Sequence, residues 1–344
     1  MITTNKIYLS NLNDPFVNLA VEEWIFEDLD PNEQILYLWR NLPTVVIGRC
    51  QNPWSECDLN KMETKDIHLA RRTTGGGAVY QDLGNTNFTF LSPMSEYSKE
   101  RNFEIIKNAL KRFKISAYNS GRNDLLVDLF NTEPRKISGS AFREMPDRCF
   151  HHGTLLINAD LAELSQILIP HPKKMQSKGV SSVSSRVTNL SELNRQINHE
   201  NICTAIINEF GSFYGLTNQN IQIIDQELID KNEKLKEKIQ KFKSWDWRFG
   251  KTPVFTHEFC DYLTSGFYQV QIDSRQAKIE GIRVYSDCLF VDVIETLEFM
   301  LIGKNISKTE IEFVFDDLSK KFLVDSRKLF VIEEFKVWFL EQLL

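Results

Sequence analysis

Three consecutive glycines, Gly75-Gly76-Gly77, constrain this chain more than any other stretch. Arg71-Arg72-Thr73-Thr74 leads into them, and the apolar Ala78-Val79-Tyr80 follows, then Gln81-Asp82-Leu83-Gly84-Asn85. Without a Cβ, successive glycines let the main chain pass very close to a ligand. Their exposed N–H groups can form an anion-binding concavity with no help from a helix dipole. An adjacent arginine adds a permanently charged donor fork suited to phosphate or carboxylate. The same run also suits a flexible turn between two strands, so its meaning depends on what accompanies it.

At 344 residues the chain exceeds one ordinary core, which predicts two domains. A net charge of −6 argues against bulk attraction to nucleic acid. No stretch approaches the ~20 apolar residues of a membrane helix. The start, Met1 to Lys6, has neither an apolar signal core nor an arginine-rich presequence. The six cysteines are scattered with no C-x-x-C pair, which suits a reducing compartment and gives no zinc signature. The histidines show no metal spacing either, so no protein-held metal is expected.

Asp14-Pro15 predicts a helix start, with Phe16, Leu19, Ala20, Trp24 and Ile25 recurring at helical spacing. Ile35–Trp39 and Thr44–Gly48 read as two strands of a hairpin joined by Asn41-Leu42-Pro43. A short helix at Asp58–Lys65 precedes a strand, His68–Arg72, that feeds the glycines. Asn87–Leu91, Asp124–Asp128, Lys136–Ala141 and Gly153–Ile157 read as further strands, and Phe103–Phe113 as a helix. Lys173–Val187 reads as a lysine- and serine-rich loop, and His199–Tyr214 and Leu228–Phe242 as helices. Composition shifts at Ser244–Gly250, which divides the chain into residues 1–249 and 250–344. Beyond it, Tyr268–Ile272 and Lys278–Tyr285 form a predicted hairpin, followed by helices near Val293–Ile302, Lys308–Lys321 and Ser326–Leu340. Ser307 and Glu310 have capping-box spacing.

Two familiar phosphate motifs are excluded. Gly250-Lys251-Thr252 ends like a P-loop, but Trp245 holds the first glycine position and Pro253 follows. A dinucleotide fingerprint fails because Tyr80 replaces the third glycine and the chain continues extended. A second constellation is Lys136-Ile137-Ser138-Gly139-Ser140-Ala141. As a strand it places Lys136, Ser138 and Ser140 on one face, with Ile137 and Gly139 on the other. A lysine among small side chains leaves room for a ligand; it also suits an edge strand protected from aggregation. For His151-His152, local structural hydrogen bonds are the expected role. Ser177–Val183 reads as a loop.

Together these segments resemble the lipoate–protein ligase A family, most closely its mitochondrial lipoyltransferase branch. The matching segments are Ile47–Trp54, RRTTGGGAVYQDLGN at 71–85, SGRNDLLV at 120–127, KISGSAFRE at 136–144, FHHGTLL at 150–156 and KGVSSVSSRVTNL at 178–190. Trp245–Gly250 also fits. The resemblance runs in register over residues 1–250 and more weakly to the end.

The resemblance implies an α+β fold: a biotin-protein-ligase-like catalytic domain of mixed sheets flanked by helices, plus a small α+β C-terminal domain. It implies an acyltransferase that moves the lipoyl group from lipoyl-AMP to a lysine of acceptor lipoyl domains, in glycine-cleavage H protein and the E2 subunits of 2-oxoacid dehydrogenases. Lys136 is the implied catalytic residue, stabilising charge on the acyl carbon and the departing AMP. Arg72, Gly75, Gly76, Gly77, Ala78, Val79 and Tyr80 are implied binding residues. So are the polar Asp82, Asn85, Asn123 and Asp124, for nucleotide or magnesium. Ser138, Gly139, Ala141, His152, Gly153 and Thr154, and the loop residues Gly179, Val180 and Val183, complete the set. Many bacterial members carry His where Gln81 stands and Arg where Ser184 stands. That departure favours transfer from preformed lipoyl-AMP; the alternatives are a two-step ligase using lipoate and Mg-ATP, and an octanoyl transferase. The mitochondrial matrix is the setting that the resemblance implies; the acidic composition and the lack of a coiled coil make a monomer the simplest expectation.

Overall fold

The computed structural model describes residues 4–120, 123–129, 133–169, 187–215, 221–249 and 256–343. Ten strands and a later one build the first part: β1 (Thr4–Ser10), β2 (Glu33–Trp39), β3 (Thr44–Ile47), β4 (His68–Arg71), β5 (Val79–Gln81), β6 (Asn85–Pro93), β7 (Ala117–Ser120), β8 (Asp124–Val127), β9 (Arg135–Glu144), β10 (Arg148–Leu156) and β11 (Ile221–Ile224). Eight of them form one mixed sheet in the order β11-β1-β2-β6-β10-β9-β8-β7. β3 lies between β4 and β5 in a separate small sheet.

The period-2 alternation of β2 and β6 separates two cores. Leu36, Leu38, Phe88 and Phe90 face a cluster with Phe103, Ile106, Ile202, Ile206 and Phe210, from the helices Lys99–Lys111 and His199–Phe213. Ile35, Tyr37, Trp39 and Leu91 face the opposite cluster, with Leu19, Ile25, Phe26, Ile239 and Phe242 from the helices Pro15–Glu27 and Glu233–Lys243. Asp14 caps the first of these, accepting from the backbone N–H of Phe16 and Val17, with Pro15 at the first turn.

The expected hairpin of Ile35–Trp39 with Thr44–Gly48 does not form. β2 pairs with β1 and β6, whereas β3 runs parallel to β4 and antiparallel to β5. Asn41-Leu42-Pro43 thus carries the chain from one sheet to the other. Asn18 Nδ2 ties this crossover to the first helix, donating to Arg40 O and Asn41 Oδ1, both at 3.0 Å.

Beyond residue 256, β12 (His257–Leu263), β13 (Gly266–Arg275) and β14 (Lys278–Ser286) form an antiparallel sheet covered by the helices Val291–Leu301, Lys308–Lys321 and Ser326–Leu343. Sequence periodicity missed β12, whose alternation of polar and apolar residues is weak. This sheet and its helices bury their own core, centred on Tyr268, Phe315, Phe335 and Phe339. Phe142 from β9 joins that core, and Cys50 packs against it. The α+β class and the small C-terminal α+β domain agree with expectation.

Candidate active site

A cavity of about 810 Å³ opens between β9, β10, the glycine turn and the C-terminal unit. Leu19, Trp39 and Val46 form an apolar part of its lining; Lys136 and Asp124 supply charge. Arg72, Gly76, Gly77, Ala78, Val79, Tyr80, Asn123, Ser138, Gly139, Ala141, His152, Gly153 and Thr154 also line it. The glycine turn and the lysine therefore share one hollow.

Gly75, Asp82 and Asn85 do not line it. A Cβ on Gly75 would lie 2.1 Å from Cys288 O, so this glycine is required by packing against the C-terminal unit. Asp82 is spent on backbone: Oδ1 accepts from Gly84 N at 2.8 Å and Oδ2 from Asp160 N at 2.8 Å. Asn85 is fully buried and donates to Asn87 Oδ1 at 3.0 Å. Gly153 serves the core as well as the cavity, since a Cβ there would meet the Phe88 ring at 2.3 Å. Gly179, Val180 and Val183 lie outside the described residues.

The orientation of Lys136 comes from a bulge. Leu126 pairs with Lys136 and Leu125 with Ser138, so Ile137 is an extra residue on β9. One extra residue inverts the alternation beyond it. The expected face of Lys136, Ser138 and Ser140 is therefore not the one observed. Ser138 is buried, with no partner for Oγ among the described residues. Gly139 instead shares the face of Lys136: a Cβ there would lie 2.9 Å from Lys136 Nζ. The ammonium lies 2.8 Å from Asp124 Oδ1, and both side chains are about one-third exposed. Val187 then bridges to Lys136 in parallel, and Thr188 N donates to Lys136 O at 3.1 Å.

Arg72 shapes the turn and offers its fork to backbone carbonyls. NH2 donates to Gly75 O at 2.7 Å and Gly77 O at 2.8 Å, and NH1 to Val46 O at 3.0 Å. Burial pushes this guanidinium down to about 10. Gly76 completes the turn with φ +88°, a left-handed conformation that favours glycine. Arg71 acts similarly, donating to Gln51 O at 2.7 Å and Arg248 O at 2.8 Å, which fastens two matching segments to β4.

Sequence reading missed Glu22, a buried carboxylate on the inner face of the first helix. It accepts from Thr89 Oγ1 at 2.7 Å and lies 2.9 Å from His152 Nδ1. His152 Nε2 lies 2.9 Å from Thr74 Oγ1, which accepts from Arg72 Nε at 3.0 Å. The network is satisfied when Thr74 donates to Nε2 and His152 donates Nδ1–H to Glu22. The only signal was an acidic pair inside an apolar helical run. His151, by contrast, packs edge-on against Phe88 and Phe103, and burial pushes it down to about 3.

The C-terminal unit contributes Tyr262, Leu263, Thr264, Ser265, Gly266, Phe267, Asp287 and Leu289 to the cavity lining. It is fastened beside the site by Ser286 N donating to Cys50 O at 2.7 Å and by ion pairs Arg49–Glu295 and Arg327–Glu144, both at 2.8 Å.

A family model described as the lipoyl protein ligase A/B catalytic domain matches residues 14–211. One described as the bacterial lipoate protein ligase C-terminus matches residues 252–338. A lipoate-protein ligase A of Bdellovibrio bacteriovorus is 50% identical over 299 residues, 87% of this chain and 88% of its own. Another, from Psychrobacter cryohalolentis, is 46% identical over 319 residues, 92% of this chain and 93% of its own. The crystal structure of LipL1 from P. falciparum in complex with lipoate is similar, with a TM-score of 0.85 and 34% identity. That likeness covers 98% of this chain and 100% of the other. On sequence over nearly its whole length, this chain belongs to the lipoate–protein ligase A family.

Proposed function

We propose that this protein is a two-step lipoate–protein ligase. In the first step the lipoate carboxylate attacks the α-phosphorus of ATP, giving lipoyl-AMP and pyrophosphate. In the second, a deprotonated lysine amine of an acceptor lipoyl domain attacks the acyl carbon and expels AMP. The observation that carries the reading is the shared cavity of Lys136, Gly76 and Gly77, with an apolar end at Trp39 and Val46. Each CH₂ of an acyl arm buried there contributes ~0.8 kcal/mol. The Lys136 ammonium would stabilise negative charge on the phosphate and the tetrahedral carbon. Asp124 and Asn123 supply oxygens of the kind that hold Mg²⁺ with a nucleotide. The names of the two bacterial relatives support the ligase reading over transfer alone.

One observation favours the rival, transfer from preformed lipoyl-AMP. Gln81 Oε1 accepts from Asn41 Nδ2 at 2.8 Å and its Nε2 donates to Asn87 Oδ1 at 3.0 Å, so the amide is committed to the core. No basic group stands at that position. The test supplies an apo lipoyl domain with lipoate plus Mg-ATP or with synthetic lipoyl-AMP, and weighs the product by mass spectrometry. Acylation from both establishes the ligase. Acylation from lipoyl-AMP alone establishes the rival, and acylation from neither sinks both.

A further inference from the structure

The β12–β13 turn is where the C-terminal unit reaches into the cavity lining. Leu263 pairs with Gly266, leaving Thr264-Ser265 as a two-residue loop. Such loops normally use Gly, Asn or Asp, because the turns that match strand twist need positive φ. Neither Thr264 nor Ser265 has it. Local turn chemistry therefore does little to hold this tip.

A carboxylate 70 residues later does hold it. Thr264 N donates to Glu334 Oε1 at 2.7 Å, and Ser265 N to Oε2 at 2.9 Å. Ser265 Oγ donates to the same Oε2 at 2.5 Å and lies 2.9 Å from the buried Tyr268 hydroxyl. On the other side of the tip, Asp287 Oδ1 accepts from Phe267 N at 2.7 Å. The helix bearing Glu334 is itself anchored, through Val331, Ile332, Phe335 and Phe339 in the C-terminal core. The tip and Lys136 line the same cavity.

We infer that Glu334 is a positioning residue, keeping the Thr264-Ser265 tip in place as a wall that excludes water from the cavity. The inference rests on the acyl transfer proposed above. An acyl–AMP anhydride has two competing fates. Attack by the acceptor amine gives the amide and AMP; attack by water breaks the same acyl–oxygen bond and gives free lipoate and AMP. Excluding water prevents the second. The wall therefore governs how much AMP is released for each lysine acylated, independently of the rate.

The experiment uses the full chain, synthetic lipoyl-AMP and an apo lipoyl domain, and measures AMP released per lysine acylated. In Glu334→Gln an NH₂ opposes one of the N–H donors and the charge is gone. The ratio should rise roughly threefold to tenfold, the scale on which losing one ordinary hydrogen bond shifts an open–closed balance, since the Gln carbonyl still accepts from one donor. Melting should change little. A merely structural role lowers rate and folded fraction together and leaves the ratio at the wild-type value; that result overturns the inference. Should Glu334→Gln not fold, Ser265→Ala decides by the same ratio, with a smaller rise expected and a wild-type value again contrary. Wild-type protein that acylates nothing overturns the proposed function itself.

Discussion

Gly75 and Gly77 should respond in opposite ways to the same added methyl. A Cβ on Gly75 would sit 2.1 Å from Cys288 O and 2.9 Å from Leu289 Cα. Ordinary carbon–oxygen contact begins near about 3.3 Å, so the wall would have to withdraw by about 1.2 Å. That wall is backbone, tied in place by Ser286 N donating to Cys50 O at 2.7 Å. Overpacking a site that cannot yield costs about 1–3 kcal/mol. At Gly77, a Cβ meets nothing within 4 Å, and the residue faces the cavity. Where the conformation is compatible, replacing glycine by alanine stabilises by about 0.4–1 kcal/mol through the unfolded chain. Gly75→Ala should therefore melt several degrees lower, while Gly77→Ala melts at or above wild type yet loses acylation because its methyl occupies ligand space. Thermal melting and acylation kinetics on both variants read this out. A Gly77→Ala protein with normal turnover would show that Gly77 does not border the ligand, and a Gly75→Ala protein of normal stability would show that the Cys288 backbone yields.

Further outcomes follow from the same geometry. Lys136→Ala should lower acylation at least ~100-fold, the scale of removing one charge-stabilising donor, with binding of the acceptor domain retained. Glu22→Ala leaves the Thr89 hydroxyl and His152 Nδ1–H without their buried acceptor, and should cost about 1–3 kcal/mol in denaturant unfolding. His151 is pushed from 6.5 to about 3 by burial, so its neutral form is favoured on folding. Its contribution is fully present above the unfolded value and is lost as pH falls from about 6.5 toward 3. His151→Phe should flatten the dependence of melting temperature on pH in that window; an unchanged slope would show that other groups set it.

Much of the site was legible because its residues are unusual for where they sit. Arginines beside three glycines, and a lysine among serines and glycine, have few structural explanations in combination. What escaped was long-range or hidden by phase. The β9 bulge at Ile137 turns Gly139, and not Ser138, toward Lys136, and no alternation rule shows a one-residue insertion. Gly75 reads as ligand-facing until Cys288, more than two hundred residues later, is brought against it. Glu22 escapes notice within its apolar helix, and only the register of β6 and β10 brings Thr89 and His152 beside it. Asn41-Leu42-Pro43 has the composition of a hairpin loop, yet joins two sheets because β2 is already paired on both edges. The α+β class survived these errors because it depends on the existence of elements, not on their partners.

A single cavity should hold the activated acyl group against Lys136. A crystal structure with a hydrolysis-resistant lipoyl-AMP analogue would show whether it does. The acyl arm should lie beside Trp39 and Val46, with an acyl or phosphate oxygen within hydrogen-bond reach of Lys136 Nζ, the ammonium now 2.8 Å from Asp124. An analogue seated elsewhere, or one that leaves Lys136 untouched, would contradict it.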